Sequence, residues 1–260
     1  MTWTAPARLE LIALQTLPLI SAGDDIGQLI VAALERESLK LAAGDVLVLA
    51  QKIISKAEGR MVELASVTPS RRARALAQRN GKDPRVIELI LRESRKVLRV
   101  GKEVLIVEHR SGFILANAGI DQSNVNADGG NGSALLLPED ADASAAKVRR
   151  AIGQASGVDC GLMIIDSIGR AWRLGTVGQT LGASGVPMVV DARGRADLFG
   201  RKLRATDIGV GDEIAAAASL LMGQANERRP VVLVRGLMAA PEATQLGRDL
   251  QRDAREDLFR

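Results

Sequence analysis

The stretch Phe113-Ile-Leu-Ala-Asn-Ala-Gly-Ile-Asp-Gln-Ser-Asn-Val125 decides how the rest of the chain is read. An apolar run passes into small residues and then delivers Asp121, Ser123 and Asn124 within four positions. A core strand opening into a polar loop is how a scaffold presents ligands to a metal or a phosphate group. Its counterpart is Ile164–Arg173, where Asp166 and Ser167 follow another apolar run and Arg170 and Arg173 bracket Trp172. Carboxylates at two strand ends suit a hard cation such as magnesium or manganese, completed by water and substrate phosphate. The plain alternative is that both Asp residues cap turns. For the arginines it is a core Trp172 with the guanidinium groups outside.

Working outward, the elements alternate irregularly. Leu9–Leu14 reads as a strand, and Asp24 or Asp25 caps a helix with Ile26, Leu29, Ile30, Ala33 and Leu34 on one face. Val46–Ala50 is a buried strand. Gln51–Arg60 reads as a polar connector carrying Lys52 and Lys56, and Met61–Leu64 as a short strand. Helices are expected from Ser70 to about Arg79 and from Asp83-Pro84 onward, with Pro at the first helical position. The arginines at 71, 72, 74, 92, 95 and 99 read as solvated faces.

Val97–Val100, Val104–Val107 and Phe113–Ala116 make a strand-rich centre with hairpin connections. Asn126–Ser133 is the most turn-like stretch and reads as a lid or loop tip. Beyond it come a helix over Ala145–Ser156, a strand Leu162–Ile165 ending in Asp166, and a strand Pro187–Val190. A helix Glu213–Met222 capped by Asp212, a polar loop Gly223–Arg229, a strand Val231–Val234 and a charged helix Glu242–Asp257 complete the order. The fold class is α+β, with mixed, largely antiparallel sheets and flanking helices, and no linker divides the chain into separate domains.

Composition narrows the function. Of 260 residues 47% are hydrophobic but only 2% aromatic, with no Tyr, so the core is built from Leu, Ile, Val and Ala. A net charge of +4 with dispersed arginines and few aromatics argues against a nucleic-acid surface and for a small anionic ligand. Cys160 is the single cysteine, excluding intrachain disulfides and cysteine-based zinc sites, and reads as a small buried hydrophobe. His109 is the single histidine, which excludes multi-histidine metal sites; it reads as a structural or surface residue where a strand meets solvent. No apolar run approaches ~20 residues and the N-terminus lacks a signal-peptide pattern, so a cytoplasmic protein without membrane contact is expected. There is no Gly-x-x-x-x-Gly-Lys-Ser/Thr or Gly-x-Gly-x-x-Gly pattern after a strand, which argues against a P-loop or dinucleotide fold.

Several stretches taken together resemble the coenzyme F-420:L-glutamate ligases (F-420-0:gamma-glutamyl ligase family). They are Leu17-Pro-Leu-Ile20, Gln51-Lys-Ile-Ile-Ser-Lys-Ala-Glu-Gly-Arg60, Asn117-Ala-Gly-Ile-Asp-Gln-Ser-Asn124 and Leu135-Leu-Leu-Pro138. Asp166-Ser-Ile-Gly-Arg170, Asp212-Glu-Ile-Ala-Ala216, Leu221-Met-Gly-Gln224 and Val234-Arg-Gly236 follow in order along nearly the whole chain. The resemblance implies a single ligase unit over residues 1–260, of two intertwined lobes, forming a homodimer. It further implies that this sequence lacks the nitroreductase-like C-terminal domain fused to some bacterial relatives.

The implied activity is GTP-dependent: GTP phosphorylates a carboxylate of the deazaflavin precursor, L-glutamate's amine displaces phosphate, and further glutamates can follow through γ-linkages. By the same resemblance Asp121 and Asp166 bind a divalent metal (Mg or Mn), with Ser167 and Gln224 on a second and a monovalent cation such as K as a further requirement. Asp121, Asp166 and Lys56 carry the catalysis. Leu17, Pro18, Leu19, Ile20, Gln51, Lys52, Lys56 and Asn124 meet GTP, as do Met222, Gly223, Gln224, Ala225, Asn226, Glu227, Arg228 and Arg229. Arg170 and Arg173 are candidates for the acidic groups of the precursor. Gln224 departs from the family pattern in being neutral where many relatives carry Glu. Two other readings use the same residues: a metal-dependent nucleotide phosphohydrolase, and a deazaflavin- or nucleotide-binding protein without turnover.

Overall fold

The computed structural model describes residues 4–123, 132–237 and 243–258. Among these, five strands form one mixed sheet in the order β1 (Glu10–Ala13), β12 (Val231–Arg235), β2 (Val46–Ala50), β8 (Gly161–Arg170) and β9 (Arg173–Ser184). Only the β2–β8 pairing is parallel; the others are antiparallel. Side chains alternate faces along a strand, and the sequence uses that alternation strictly. Leu47, Leu49, Leu162, Ile164, Val231 and Leu233 pack against α1 (Ile26–Arg36), α2 (Gln51–Ala57) and α5 (Ala141–Ser156). Their neighbours Val46, Val48, Met163, Ile165, Val232 and Val234 pack against α6 (Val210–Met222) on the opposite face. Buried on both faces, these strands read as continuous apolar runs.

A second layer pair lies beside this one. The antiparallel sheet β4 (Ser94–Gly101), β5 (Val104–His109) and β6 (Ile114–Ala116) packs with α3 (Arg71–Asn80) and α4 (Pro84–Arg92) around Leu64, Ile87, Ile90, Leu105 and Val107. The ribbon of β3 (Met61–Glu63) and β7 (Ser133–Leu135) joins it to α2. A small ladder of β10 (Val190–Asp191) and β11 (Asp207–Ile208) completes the α+β architecture. Helix starts follow their caps: Asp25, Ser70, Asp83 and Asp140 each accept a backbone N–H in the first turn, worth about 1 kcal/mol apiece.

Several sequence expectations are corrected. Gln51–Ala57 is a helix, not a connector; its apolar Ile53 and Ile54 dock into the core next to the strand that feeds it. Strand β9, unforeseen because of its glycines, runs twelve residues between α5 and α6. Those glycines are the reason it fits. A Cβ on Gly178 would lie 2.3 Å from the Ala215 carbonyl oxygen of α6, and one on Gly182 2.3 Å from Ala141 of α5.

Asp212 does not cap α6 but sits in its first turn, accepting the Thr180 N–H at 2.9 Å. Of Pro187–Val190 only Val190 is in a strand. Within the expected C-terminal helix, the described residues form only a 3-10 turn at Gly247–Leu250. His109 is buried, 1% exposed, rather than at solvent. Trp172 is 82% exposed, so the core-tryptophan alternative fails. Most of the expected lid Asn126–Ser133 lies outside the described residues. No helix among the described residues is long and apolar enough to cross a membrane.

Candidate functional site

Strand directions gather the candidate residues at one end of the large sheet. Ala50 pairs in register with Ile165, so the next residues, Gln51 and Asp166, stand side by side. Ala50 N–H donates to the Pro230 carbonyl at 2.8 Å and Leu14 N–H to the Val231 carbonyl at 2.9 Å. The segment after β1, the start of α2, Asp166 on β8 and the loop leading into β12 therefore share that end. Ligands of open α/β sheets collect at the carboxyl ends of strands for this reason.

Asp121 arrives from the neighbouring sheet. Asn117, Ala118 and Gly119 all take left-handed backbone angles (φ of 53°, 56° and 65°), turning the chain sharply after β6. The Asn117 side chain anchors the turn by accepting the Leu105 N–H at 3.0 Å. Asp121 and Leu135 then exchange two backbone hydrogen bonds, at 3.0 and 2.8 Å, fixing the carboxylate against β7.

At the centre the Lys52 ammonium meets Asp121 Oδ2 at 2.6 Å and Ser123 Oγ at 3.2 Å. The other oxygen, Asp121 Oδ1, accepts from Ser123 N–H at 2.6 Å and Oγ at 2.7 Å. Burial pushes the Asp121 carboxyl up, but Lys52 and Ser123 outweigh it and hold it below its usual range. Asp166 goes the other way. Burial and the Asp121 charge push it up to about 6, against the weaker pull of the Ser167 N–H, Lys52 and Gln51. Two adjacent carboxyls driven apart in proton affinity, one short of positive charge, are a signature of a functional site. Lys56, one turn beyond Lys52 on α2, has its affinity lowered by burial and by Lys52.

The donor set fits a divalent metal. Its atoms are carboxylate and hydroxyl oxygens, hard donors of the kind magnesium and manganese take. Lys52 already seats a positive charge on Asp121. The buried Gln51 amide nitrogen beside Asp166 has no hydrogen-bond partner, as expected of a polar wall facing a ligand. Among the described residues no three His, Cys, Asp or Glu side chains converge, so such a metal would rest on two carboxylates and on oxygens from the substrate.

The other candidates fall into place around this centre. Leu17 and Ile20 are half-buried against the core of the large sheet, while Leu19 is exposed. Met222 is buried at the end of α6, Gly223 turns the chain, and Gln224 to Arg229 are exposed on the loop entering β12. Glu227 bends back within that loop to accept the Ala225 N–H at 2.8 Å. Ser167 follows Asp166 on β8 and is partly buried. Arg170 and Arg173 face each other at the tip of the β8–β9 hairpin, about 13 Å along the strand from Asp166. Asn124 lies outside the described residues. Two clefts among the described residues, of about 210 and 230 Å³, lie elsewhere and are not lined by Asp121, Asp166 or Lys52. Ser55, which bonds Gln51, escaped sequence reasoning; its signal was the four-residue spacing on a helix, hidden once that segment was taken for a connector.

Comparison with known proteins shows what the chain as a whole is similar to. The family model described as F-420-0:Gamma-glutamyl ligase matches residues 15–236. A coenzyme F-420:L-glutamate ligase from Methanopyrus kandleri is 43% identical over 258 residues, covering 97% of this chain and 99% of its own. One from Methanothermobacter thermautotrophicus is 45% identical over 228 residues, covering 88% and 89%. One from Archaeoglobus fulgidus is 43% identical over 253 residues, covering 97% of each. The matched span contains both carboxylates, α2 and the loop before β12, and the chain belongs to the F-420-0:gamma-glutamyl ligase family.

Proposed function

We propose that this chain is a GTP- and divalent-metal-dependent ligase that joins L-glutamate to the deazaflavin precursor of coenzyme F-420, then adds further γ-linked glutamates. The reading rests on one observation above the others: Asp121, Asp166 and Lys52 converge at the sheet end that also carries the Leu17–Ile20 and Gly223–Arg229 segments. Family membership supplies the acceptor and the amine, as in the names of the relatives.

The chemistry divides into two displacements. The γ-phosphoryl group of GTP passes to a carboxylate oxygen of the precursor and GDP leaves. The amine nitrogen of glutamate then attacks the acyl carbon, losing a proton as phosphate departs. Neither step needs a protein nucleophile, because phosphoryl transfer depends on positioning and charge neutralisation. Lys52 and Lys56 offer point charges to the phosphates along one face of α2. Asp121 and Asp166 hold the metal, with Ser167 and Gln224 toward a second. Bound there, metal neutralises charge on the transferring group. A cation at the second site would be held less strongly because Gln224 is neutral.

The same reading includes a homodimer. Exposed Trp172 and Leu174 at the hairpin tip, with Leu198 and Phe199 between β10 and β11, are large apolar side chains that a second copy would cover. Light scattering after gel filtration tests that directly: a dimer is expected, and a monomer at all concentrations refutes it.

For the ligase itself, purified protein is incubated with GTP, manganese, glutamate and the deazaflavin precursor. The expected products by mass spectrometry are the glutamylated precursor, GDP and phosphate. Intact GTP with no glutamylated product overturns the reading, and GTP hydrolysis that ignores precursor and glutamate would favour a phosphohydrolase.

A further inference from the structure

Gln51 is a residue out of balance. Its side chain is buried, 1% exposed, at the junction where β2 passes into α2. The amide oxygen accepts the Ser55 hydroxyl at 2.8 Å, one helical turn on, and Ser55 is itself wholly buried. That bond decides which way the amide faces: with the oxygen held by Ser55, the NH2 group must point the other way. The β2–β8 register places that other side at Asp166, and the amide is among the groups acting on the Asp166 carboxyl. Yet the nitrogen completes no hydrogen bond. A buried amide left without a partner destabilises the fold, a cost that a site evolved only for stability would shed.

The geometry points to Ser55 and Gln51 as a positioning pair for Asp166: Ser55 fixes the amide, and the Gln51 NH2 group, unpartnered here, would donate to one carboxylate oxygen when the other turns to a bound metal. This deepens the proposed function and rests on its assignment of Asp166 to the metal. Gln51 is not a metal ligand in this assignment. It acts through Asp166, as the residues behind metal ligands do when they fix a ligand's orientation. A family-level role for Gln51 along GTP does not require Ser55, which makes Ser55 the sharper test.

The experiment measures manganese binding rather than turnover. Free Mn2+ is followed by its electron paramagnetic resonance signal as it is titrated into nucleotide-free protein, for the wild type, Ser55→Ala, Gln51→Met and Asp166→Asn. Circular dichroism melting checks that each variant is folded. Ser55→Ala and Gln51→Met are expected to weaken Mn2+ binding by roughly 10- to 100-fold while keeping a cooperative melt.

A folded Ser55→Ala protein that binds Mn2+ as tightly as the wild type overturns the pair, and so does a folded Gln51→Met protein that does. If Gln51→Met fails to fold, Ser55→Ala decides alone; should both fail, the pair is structural and the inference is refuted. Asp166→Asn separates the two levels. Loss of binding there with unchanged binding in the other two refutes the pair and spares the metal assignment. Retention of binding in Asp166→Asn refutes the metal assignment itself.

Discussion

Replacing Arg60 by Met should loosen the hold between the large sheet and the second layer pair. Arg60 leaves the end of the Gln51 helix segment and reaches into the second layer pair. Its Nε donates to the Leu137 carbonyl at 2.9 Å, and its two terminal nitrogens pair with Glu93 and Glu139, each at 3.0 Å. Glu139 is 72% exposed, so that contact is worth a few tenths of a kcal/mol. Glu93 is different. Its side chain is 7% exposed and shared by Arg60, Arg110 at 3.0 Å and His109 at 3.6 Å. Removing one partner of a buried pair costs about 3–5 kcal/mol when the other is stranded. Arg110 remains to Glu93, so about 3 kcal/mol is expected for Arg60→Met.

The pH dependence has a definite sign. Burial raises the Glu93 carboxyl, but His109, Arg60 and Arg110 together bring it below its usual value near 4.5. A lowered carboxyl stabilises the fold above the unfolded value and loses that contribution as pH falls through the folded one. The gap between wild type and Arg60→Met is therefore full at pH 7 and narrows below pH 4.5. Urea unfolding followed by circular dichroism at pH 7 and at pH 3.5 measures both ends. A loss under ~1 kcal/mol at pH 7, or a gap that does not narrow in acid, refutes the view that Glu93 and Arg60 form a buried coupled pair.

Other changes test the site and its support. Asp166→Asn should abolish ligation, and in metal-free protein it should raise stability at pH 8 by about 2 kcal/mol. The sign follows because a carboxyl raised to about 6 disfavours the fold once pH passes from 3.8 toward 6, and the amide carries no such charge. Thermal melts with chelator at pH 8 and pH 3.5 check this, the difference vanishing at the lower pH. Lys52→Gln should reduce kcat/KM for GTP by at least ~100-fold, about 2.7 kcal/mol, since it removes the cation nearest Asp121; steady-state kinetics that hold within threefold would count against it. Gly178→Ala should cost about 1–3 kcal/mol in urea unfolding, because α6 has to retreat from β9.

Much of this was written in local patterns, and the failures have physical causes. The strands of the central sheet were legible because both faces are buried, leaving unbroken apolar runs such as Val46–Ala50 and Leu162–Ile165. The starts of α1, α3 and α4 were legible from their Asp and Ser caps, whereas α5 begins at Ala141, four residues before the expected Ala145, and α6 begins before Asp212. Helix α2 was missed because its N-cap, Ala50, makes no side-chain bond and its polar residues serve the site rather than solvent. Strand β9 was missed because glycines at 178 and 182 interrupt its apolar pattern, and their cause is the approach of two helices that no local pattern displays. His109 looked like a strand end at solvent because the Glu93 and Ser111 contacts that bury it come from outside its own strand.

The site divides in the same way. Asp121 and Asp166 were visible from sequence as carboxylates following apolar runs, but Asp166 lies inside β8, which runs on to Arg170, instead of at a strand end, and the proximity of the two depends on a left-handed turn at Asn117–Gly119 and on the parallel register of β2 with β8. That register also explains why Gln51 matters. Ala50, the last residue of β2, pairs with Ile165, and this sets the start of α2, with Gln51, next to Asp166. A shift of one residue would turn Asp166 into the opposite core and Gln51 away from it. The apolar alternation that drives the sheet together is thus also what aims the carboxylate. A substitution deep in the sheet that altered the register would abolish activity without touching a single polar residue of the site.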